Sequence, residues 1–208
     1  MQVSIHLNNL GKKYLNEWIF KNLNYTINAS DKLVILGANG SGKSTLLQTI
    51  ASFLILTKGE VSWQNGERKI ADEEIYKKLS MASPYMELIE DFTLTELVQH
   101  QQKFKPFVNS KTADEIIELM ELQHAAGKYL KNFSSGMRQR VKLGLAILAD
   151  CPVLLLDEPC TNLDARAIAW YQNIIAQHAL NKTIVVCSNR VKEEYSFCTS
   201  TLEVEKYK

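Results

Sequence analysis

Apolar residues recur in more than one rhythm along the chain. Near the start, Val3, Ile5 and Leu7 alternate with polar neighbours, and Leu23, Tyr25 and Ile27 do so again. A period of two marks half-buried strands, so a small antiparallel β layer is expected at the N-terminus. Leu33–Leu36 is instead a continuous apolar run that ends at Gly37. After a glycine-rich loop, the spacing of Leu46, Leu47 and Ile50 predicts a helix over Ser44–Phe53. Further strands are expected at Gly59–Gln64, Leu79–Ala82, Val153–Asp157, Thr183–Ser188 and Ser200–Val204. The buried apolar ones suit a mainly parallel sheet covered on both faces, with most helices between the strands.

The stretch Thr93–Ala149 breaks this alternation. It holds helical patterns at about Thr93–Phe104, Ser110–Glu121 and Ser135–Leu148, with no strand pattern among them. Pro106 breaks the chain before the second of these, and both Ser110 and Thr112 suit its N-cap. Asp114 and Glu115 fall in its first turn, where the helix dipole favours carboxylates. The expectation is one α/β domain over residues 1–208, with a helical lobe inserted at about residues 85–149.

Composition narrows the function classes. Of 208 residues, 46% are hydrophobic and 23% charged, which is ordinary globular usage. Lys and Arg total 24 against 23 Asp and Glu, a formal charge of +1, so a large electrostatic attraction to nucleic acid or anionic lipid is absent. No apolar run approaches the roughly 20 residues of a membrane-spanning helix. Met1–Leu10 lacks the features of a secretory signal, so a cytoplasmic location is expected. Cys151, Cys160, Cys187 and Cys198 lack the paired short spacings of zinc sites and read as reduced thiols.

The candidate chemistry begins at Gly37-Ala38-Asn39-Gly40-Ser41-Gly42-Lys43-Ser44, followed by Thr45. Every fixed position of G-x-x-x-x-G-K-[ST] is filled, between an expected strand and helix, so a P-loop NTPase core is indicated. The glycines let backbone N–H groups approach phosphate oxygens, and the helix aims the positive end of its dipole at the same anion. Lys43 would reach the β- and γ-phosphates and the Ser44 hydroxyl would ligate Mg²⁺. Downstream, Val153–Leu156 runs into Asp157 and Glu158. Asp157 lands at the carboxyl end of its strand, where α/β sheets bind ligands, and suits a metal-holding role; Glu158 could activate or orient an attacking water.

Four segments in order, Gly37–Thr45, Phe133–Gln139 (FSSGMRQ), Leu156–Pro159 (LDEP) and Thr161–Asp164 (TNLD), resemble those of ABC-family ATPases, and the likeness covers essentially the whole chain. It implies an ATP-binding and ATP-hydrolysing subunit that works as a head-to-tail dimer and powers a separate integral membrane permease from the cytoplasmic face. ATP and Mg²⁺ would be the cofactors, with Ser44 and Asp157 on the metal and Glu158 catalytic. Ser134, Ser135 and Gly136 would close over the nucleotide of the second subunit, although by themselves they also read as a helix N-cap. Asp164 would communicate across the dimer, or cap the helix expected over Ala165–Gln177, or both. Tyr14 would stack on adenine, with Trp18 as a rival. The short length and the Ser-Ser-Gly-Met signature look most like subunits of small export-type permeases.

The chain departs from the family pattern at two places. Pro84 stands where a glutamine is usual, and Asn189 where the family has the histidine that touches the γ-phosphate. Proline offers no side-chain ligand, and asparagine carries no titrating proton. Ser83 or Glu87 would then have to replace the glutamine near the metal. These changes favour, as an alternative, a regulatory cassette that binds ATP and barely hydrolyses it. A non-transport ABC protein acting on nucleic acid is a further alternative, disfavoured by the missing tandem cassette, coiled-coil insertion and basic face.

Overall fold

The computed structural model describes residues 2–208. In chain order the elements are β1 (Val3–Tyr14), β2 (Glu17–Ile27), β3 (Lys32–Leu36), α1 (Lys43–Ile50), β4 (Lys58–Asn65) and β5 (Arg68–Lys69). There follow α2 (Asp72–Ile75), β6 (Leu79–Ala82), α3 (Leu94–Phe104), α4 (Ala113–Leu119) and α5 (Ser135–Leu148). The chain ends with β7 (Val153–Asp157), α6 (Ala165–His178), β8 (Thr183–Ser188), α7 (Lys192–Tyr195) and β9 (Ser200–Glu203).

Two sheets form. One has strand order β2-β1-β4-β5 and is antiparallel; the other has order β6-β7-β8-β3-β9 and is parallel throughout. The alternating N-terminal residues do build the antiparallel layer, in strands longer than the alternation marks: Tyr14 pairs with Glu17 at the hairpin end. The continuous apolar runs build the parallel sheet, because a strand covered on both faces needs apolar side chains at every position.

Strand β7 shows how the two faces are used. Val153 and Leu155 join a core with Ile5, Phe20, Leu46 and Trp63 on the antiparallel-sheet side. Leu154 and Leu156 point the other way, into a core with Leu94, Val98, Ile116, Met120 and Val141. Each fully buried aliphatic side chain contributes about 1.5–3 kcal/mol, so a strand that fills both cores anchors both layers. The helices between β6 and β7 therefore share their core with one face of the parallel sheet.

Local sequence sets the helix ends. Thr93 and Glu96 form a reciprocal capping box at the start of α3, and Thr112 and Glu115 form another at α4. Of the two candidate caps, Thr112 is used and Ser110 is not. Ser110 lies in a short 3₁₀ turn (Val108–Ser110), and the two-bond box at Thr112 starts the helix later than the sequence pattern implied. At its other end α4 stops short of Glu121, which has φ of 55°, and the Trp170 indole donates to the freed Leu119 carbonyl at 2.8 Å. The four cysteines are free.

Candidate functional site

The parallel register gathers the site. Leu36 pairs with Ser188, Asp157 with Cys187, and Ala82 with Leu156. The residues that follow, Gly37, Asn189, Glu158 and Ser83, consequently leave the same carboxyl edge of the sheet, from β3, β8, β7 and β6.

The 37–45 loop connects β3 to α1. Gly42 caps α1 with φ of 102°, and a Cβ there would sit 2.4 Å from the Ile19 Cγ2 atom of β2, so both conformation and space demand glycine. Lys43 is only 4% exposed. Its ammonium donates to the carbonyls of Gly37 and Ala38, both at 3.1 Å, and lies 3.6 Å from Glu158 Oε1. Ala38, Asn39 and Gly40 are exposed, while the Ser41 hydroxyl is buried without a protein partner. Ala38 N–H donates to the Glu205 carboxylate at 3.0 Å, which holds the start of the loop.

Asp157 is 1% exposed, and burial raises its carboxyl pKa above the ordinary value. Hydrogen bonds from Ser44 and Ser83 and the charge of Lys43 pull the other way. The Ser83 hydroxyl reaches Asp157 Oδ2 at 3.4 Å, whereas Oδ1 has no partner. An unpartnered, desolvated carboxylate oxygen beside two hydroxyls fits a divalent cation. Among the described residues no group of three or more His, Cys, Asp or Glu side chains could hold a metal. Mg²⁺ binds through one or two carboxylates plus substrate phosphates, and the single Asp157 carboxylate beside the phosphate loop is of that kind.

Glu158 has φ of 43°, an uncommon conformation for a residue with a side chain, and its N–H donates to the Cys187 carbonyl at 2.9 Å. That bond fixes the backbone while the carboxylate remains partly exposed, facing Lys43. Asn189 is exposed at the end of β8. Glu87 is also exposed and its charge bears on Lys142; of the two replacements considered for the missing glutamine, Ser83 is the one that bonds to Asp157. The Pro84 carbonyl accepts from Lys142 at 2.8 Å. Tyr14 is 47% exposed at the β1–β2 hairpin, with the Lys12 ammonium 4.8 Å from its ring centre, and Trp18 packs beside Gly11.

A second group lies apart from the first. Ser134 caps α5 by accepting from Met137 N–H at 3.2 Å, and both Ser134 and Ser135 are exposed. A Cβ on Gly136 would lie 3.1 Å from the Asn162 carbonyl, so this turn abuts the loop after β7. Asp164 caps α6 by accepting from Ala167 N–H at 2.7 Å, the capping alternative of the sequence reading. Ser134, Ser135, Gly136, Asn162 and Asp164 line a cleft of about 560 Å³ that includes no residue of the 37–45 loop. The sequence reading assigned no role to Gln139, which is 4% exposed and donates to the Pro159 carbonyl at 2.9 Å. Its only signal was its place at the end of FSSGMRQ.

A family profile described as ABC transporter matches residues 20–161. The chain belongs to the ABC transporter family. It is 26% identical to the ABC transporter ATP-binding protein YybJ of Bacillus subtilis, over 96% of this chain and 92% of that protein. It is 32% identical to the maltose/maltodextrin import ATP-binding protein MalK of Mannheimia succiniciproducens, over 78% of this chain but only 44% of MalK. The chain thus spans nearly all of one curated relative and less than half of another. Among solved structures, the dimeric bacterial ABC transporter cassette MJ0796 superposes with a TM-score of 0.79 at 24% identity, over 97% of this chain and 95% of that one. A bacterial Atm1-family ABC exporter with ATP bound gives 0.81 at 19% identity, over 98% of this chain and 37% of the exporter. The fold is that of an ABC ATP-binding cassette.

Proposed function

We propose that this chain binds ATP at loop 37–45, hydrolyses it with Glu158 as the base, and thereby powers a separate membrane permease. The observation that carries the reading is the convergence of buried Lys43, partly exposed Glu158 and the unpartnered Asp157 Oδ1 at one edge of the parallel sheet. Phosphate oxygens would replace the loop carbonyls as acceptors for Lys43, and the N–H groups of residues 40–45 would line the anion. Ser44 and Asp157 would hold Mg²⁺, which when bound neutralises charge on the phosphates. Glu158 would orient a water and take its proton, and Asn189 would donate a hydrogen bond to the terminal phosphate. Tyr14 supplies a ring face for the adenine at the adjoining hairpin.

Residues 134–136 and Asp164 lie in a cleft of their own, which supports a head-to-tail dimer in which each chain completes the other's site. No helix among the described residues is long and apolar enough to cross a membrane; in the proposed role a permease spans the bilayer and the cassette is peripheral on its cytoplasmic face. The resemblance to export-type cassettes and the likeness to MalK pull the direction of transport opposite ways. A regulatory, weakly hydrolysing cassette is the second reading. It is favoured by Asn189, which brings no titrating group, and by Pro84, whose side chain cannot ligate a metal.

The deciding experiment measures steady-state ATP turnover of the chain, alone and with its co-purified membrane partner, beside a Glu158→Gln variant. General-base loss is expected to lower turnover by about 100-fold or more. Equal turnover in the two proteins would sink the assignment of Glu158, and tight ATP binding without turnover would establish the regulatory reading.

A further inference from the structure

The loop after β7 carries Glu158, and the loop after β8 carries Asn189. Neither loop belongs to a helix or strand at those positions, yet the proposed chemistry needs both side chains held in one geometry. What joins them is a residue that no motif marks.

Glu194, in the short helix α7, is 3% exposed. One carboxylate oxygen accepts from the backbone N–H of Cys160 at 3.1 Å, two residues beyond Glu158. The other accepts from the hydroxyl of Ser188, which is fully buried and immediately precedes Asn189. Ser188 Oγ in turn accepts from Val191 N–H at 3.2 Å and so closes the turn that presents Asn189. The Tyr171 hydroxyl, from α6, donates to the Glu194 carbonyl at 2.8 Å and fixes the backbone behind the carboxylate. Both side-chain oxygens are thus satisfied, one by each loop.

The placement is costly if it serves packing alone. A buried carboxylate forfeits hydration, and here the like charges of Glu158 and Asp157 act on it as well. The partners of its two oxygens, the Cys160 N–H and the Ser188 hydroxyl, are both neutral groups. Hydrogen bonds to a charged group are stronger than neutral ones, which is what a carboxylate adds over an amide at a joint between two loops.

We propose that Glu194 is a positioning residue that clamps the loop of Glu158 to the loop of Asn189, so that the two shift together as the nucleotide is bound and cleaved. The inference rests on the hydrolytic reading given above. Glu194 acts through Cys160 N–H and the Ser188 hydroxyl.

The test compares wild type with Glu194→Gln and Ser188→Ala, using MgATP as the probe. Glu194→Gln keeps the shape and one acceptor, while Ser188→Ala removes only one arm and guards against a variant that fails to fold. The expected result is kcat lowered about 10- to 100-fold, the scale of a small misplacement of reacting groups, with KM and the melting temperature near wild type. Hydrogen exchange is expected to quicken in both 157–164 and 188–195 in Glu194→Gln. A kcat per folded molecule equal to wild type in both variants overturns the clamp, as does a loss confined to KM. If wild type itself shows no turnover that depends on Glu158, the hydrolytic reading fails and the clamp's role in catalysis fails with it. Wild-type turnover that is unmoved by either substitution rejects the clamp alone.

Discussion

The chain carries two turns that suit an anion at a helix N-terminus, and they are built on opposite plans. The 37–45 loop is furnished from within: Lys43 is buried, already bonded to two carbonyls of its own loop, and 3.6 Å from Glu158, which follows β7. The 134–136 turn is open. Its serines are exposed and its cleft is shared with Asn162 and Asp164, away from the first loop. A site equipped within one chain should bind ligand as a monomer, whereas an open turn gains a purpose only against a second surface.

The sharpest way to break this contrast is Lys43→Ala. Loss of charge-assisted hydrogen bonds is expected to weaken ATP binding by about 10- to 100-fold in a fluorescent-nucleotide titration of the monomeric chain. Next comes Gly136→Ala, whose Cβ would press on the Asn162 carbonyl at 3.1 Å. That variant is expected to bind ATP as wild type does but to turn over about tenfold more slowly, as a displaced turn would. Should it weaken monomer binding as much as Lys43→Ala does, the two turns serve one pocket and the contrast is lost.

The smallest effect sits at the far end of α5. Lys182 is buried and donates to the Ile147 and Ala149 carbonyls, and burial lowers its pKa from 10.5 to about 8. In the unfolded chain this lysine keeps its proton up to the ordinary value. Between about pH 8 and pH 10.5 the unfolded state therefore binds more protons, and this group's contribution makes stability rise with pH. Cys160 and Cys198, pushed up to about 12, act in the opposite sense above the ordinary thiol value. The check is thus a difference: melting curves of Lys182→Met should lack an upward component that wild type shows from pH 8 to 9. Parallel curves would show that the ammonium is charged throughout.

How much was legible follows from the kind of interaction. Helix α5 was readable at both ends, because Ser134 caps it and its apolar spacing runs unbroken to Leu148. The start of α4 was narrowed only to Ser110 or Thr112, which look alike until the reach of Glu115 chooses Thr112. Strand β5 and helices α2 and α7 are too short to show a period. At the site, glycine spacing marked the 37–45 loop, since backbone conformation itself demands those residues. The pairs Ser83 with Asp157 and Cys160 with Glu194 join positions far apart in the chain, and no local pattern announces either.

The core shared by the parallel sheet and the helices between β6 and β7 has a mechanical consequence. Leu94, Val98 and Val141 press on the same apolar layer as Leu154, Leu156 and Val186, with no solvent-filled seam required between them. Protein interiors of this kind compress little. A push delivered to the outer surface of the helices is therefore passed on, as through a solid block, to the strands whose ends hold the acids. Those helices would work as a strut rather than a cushion.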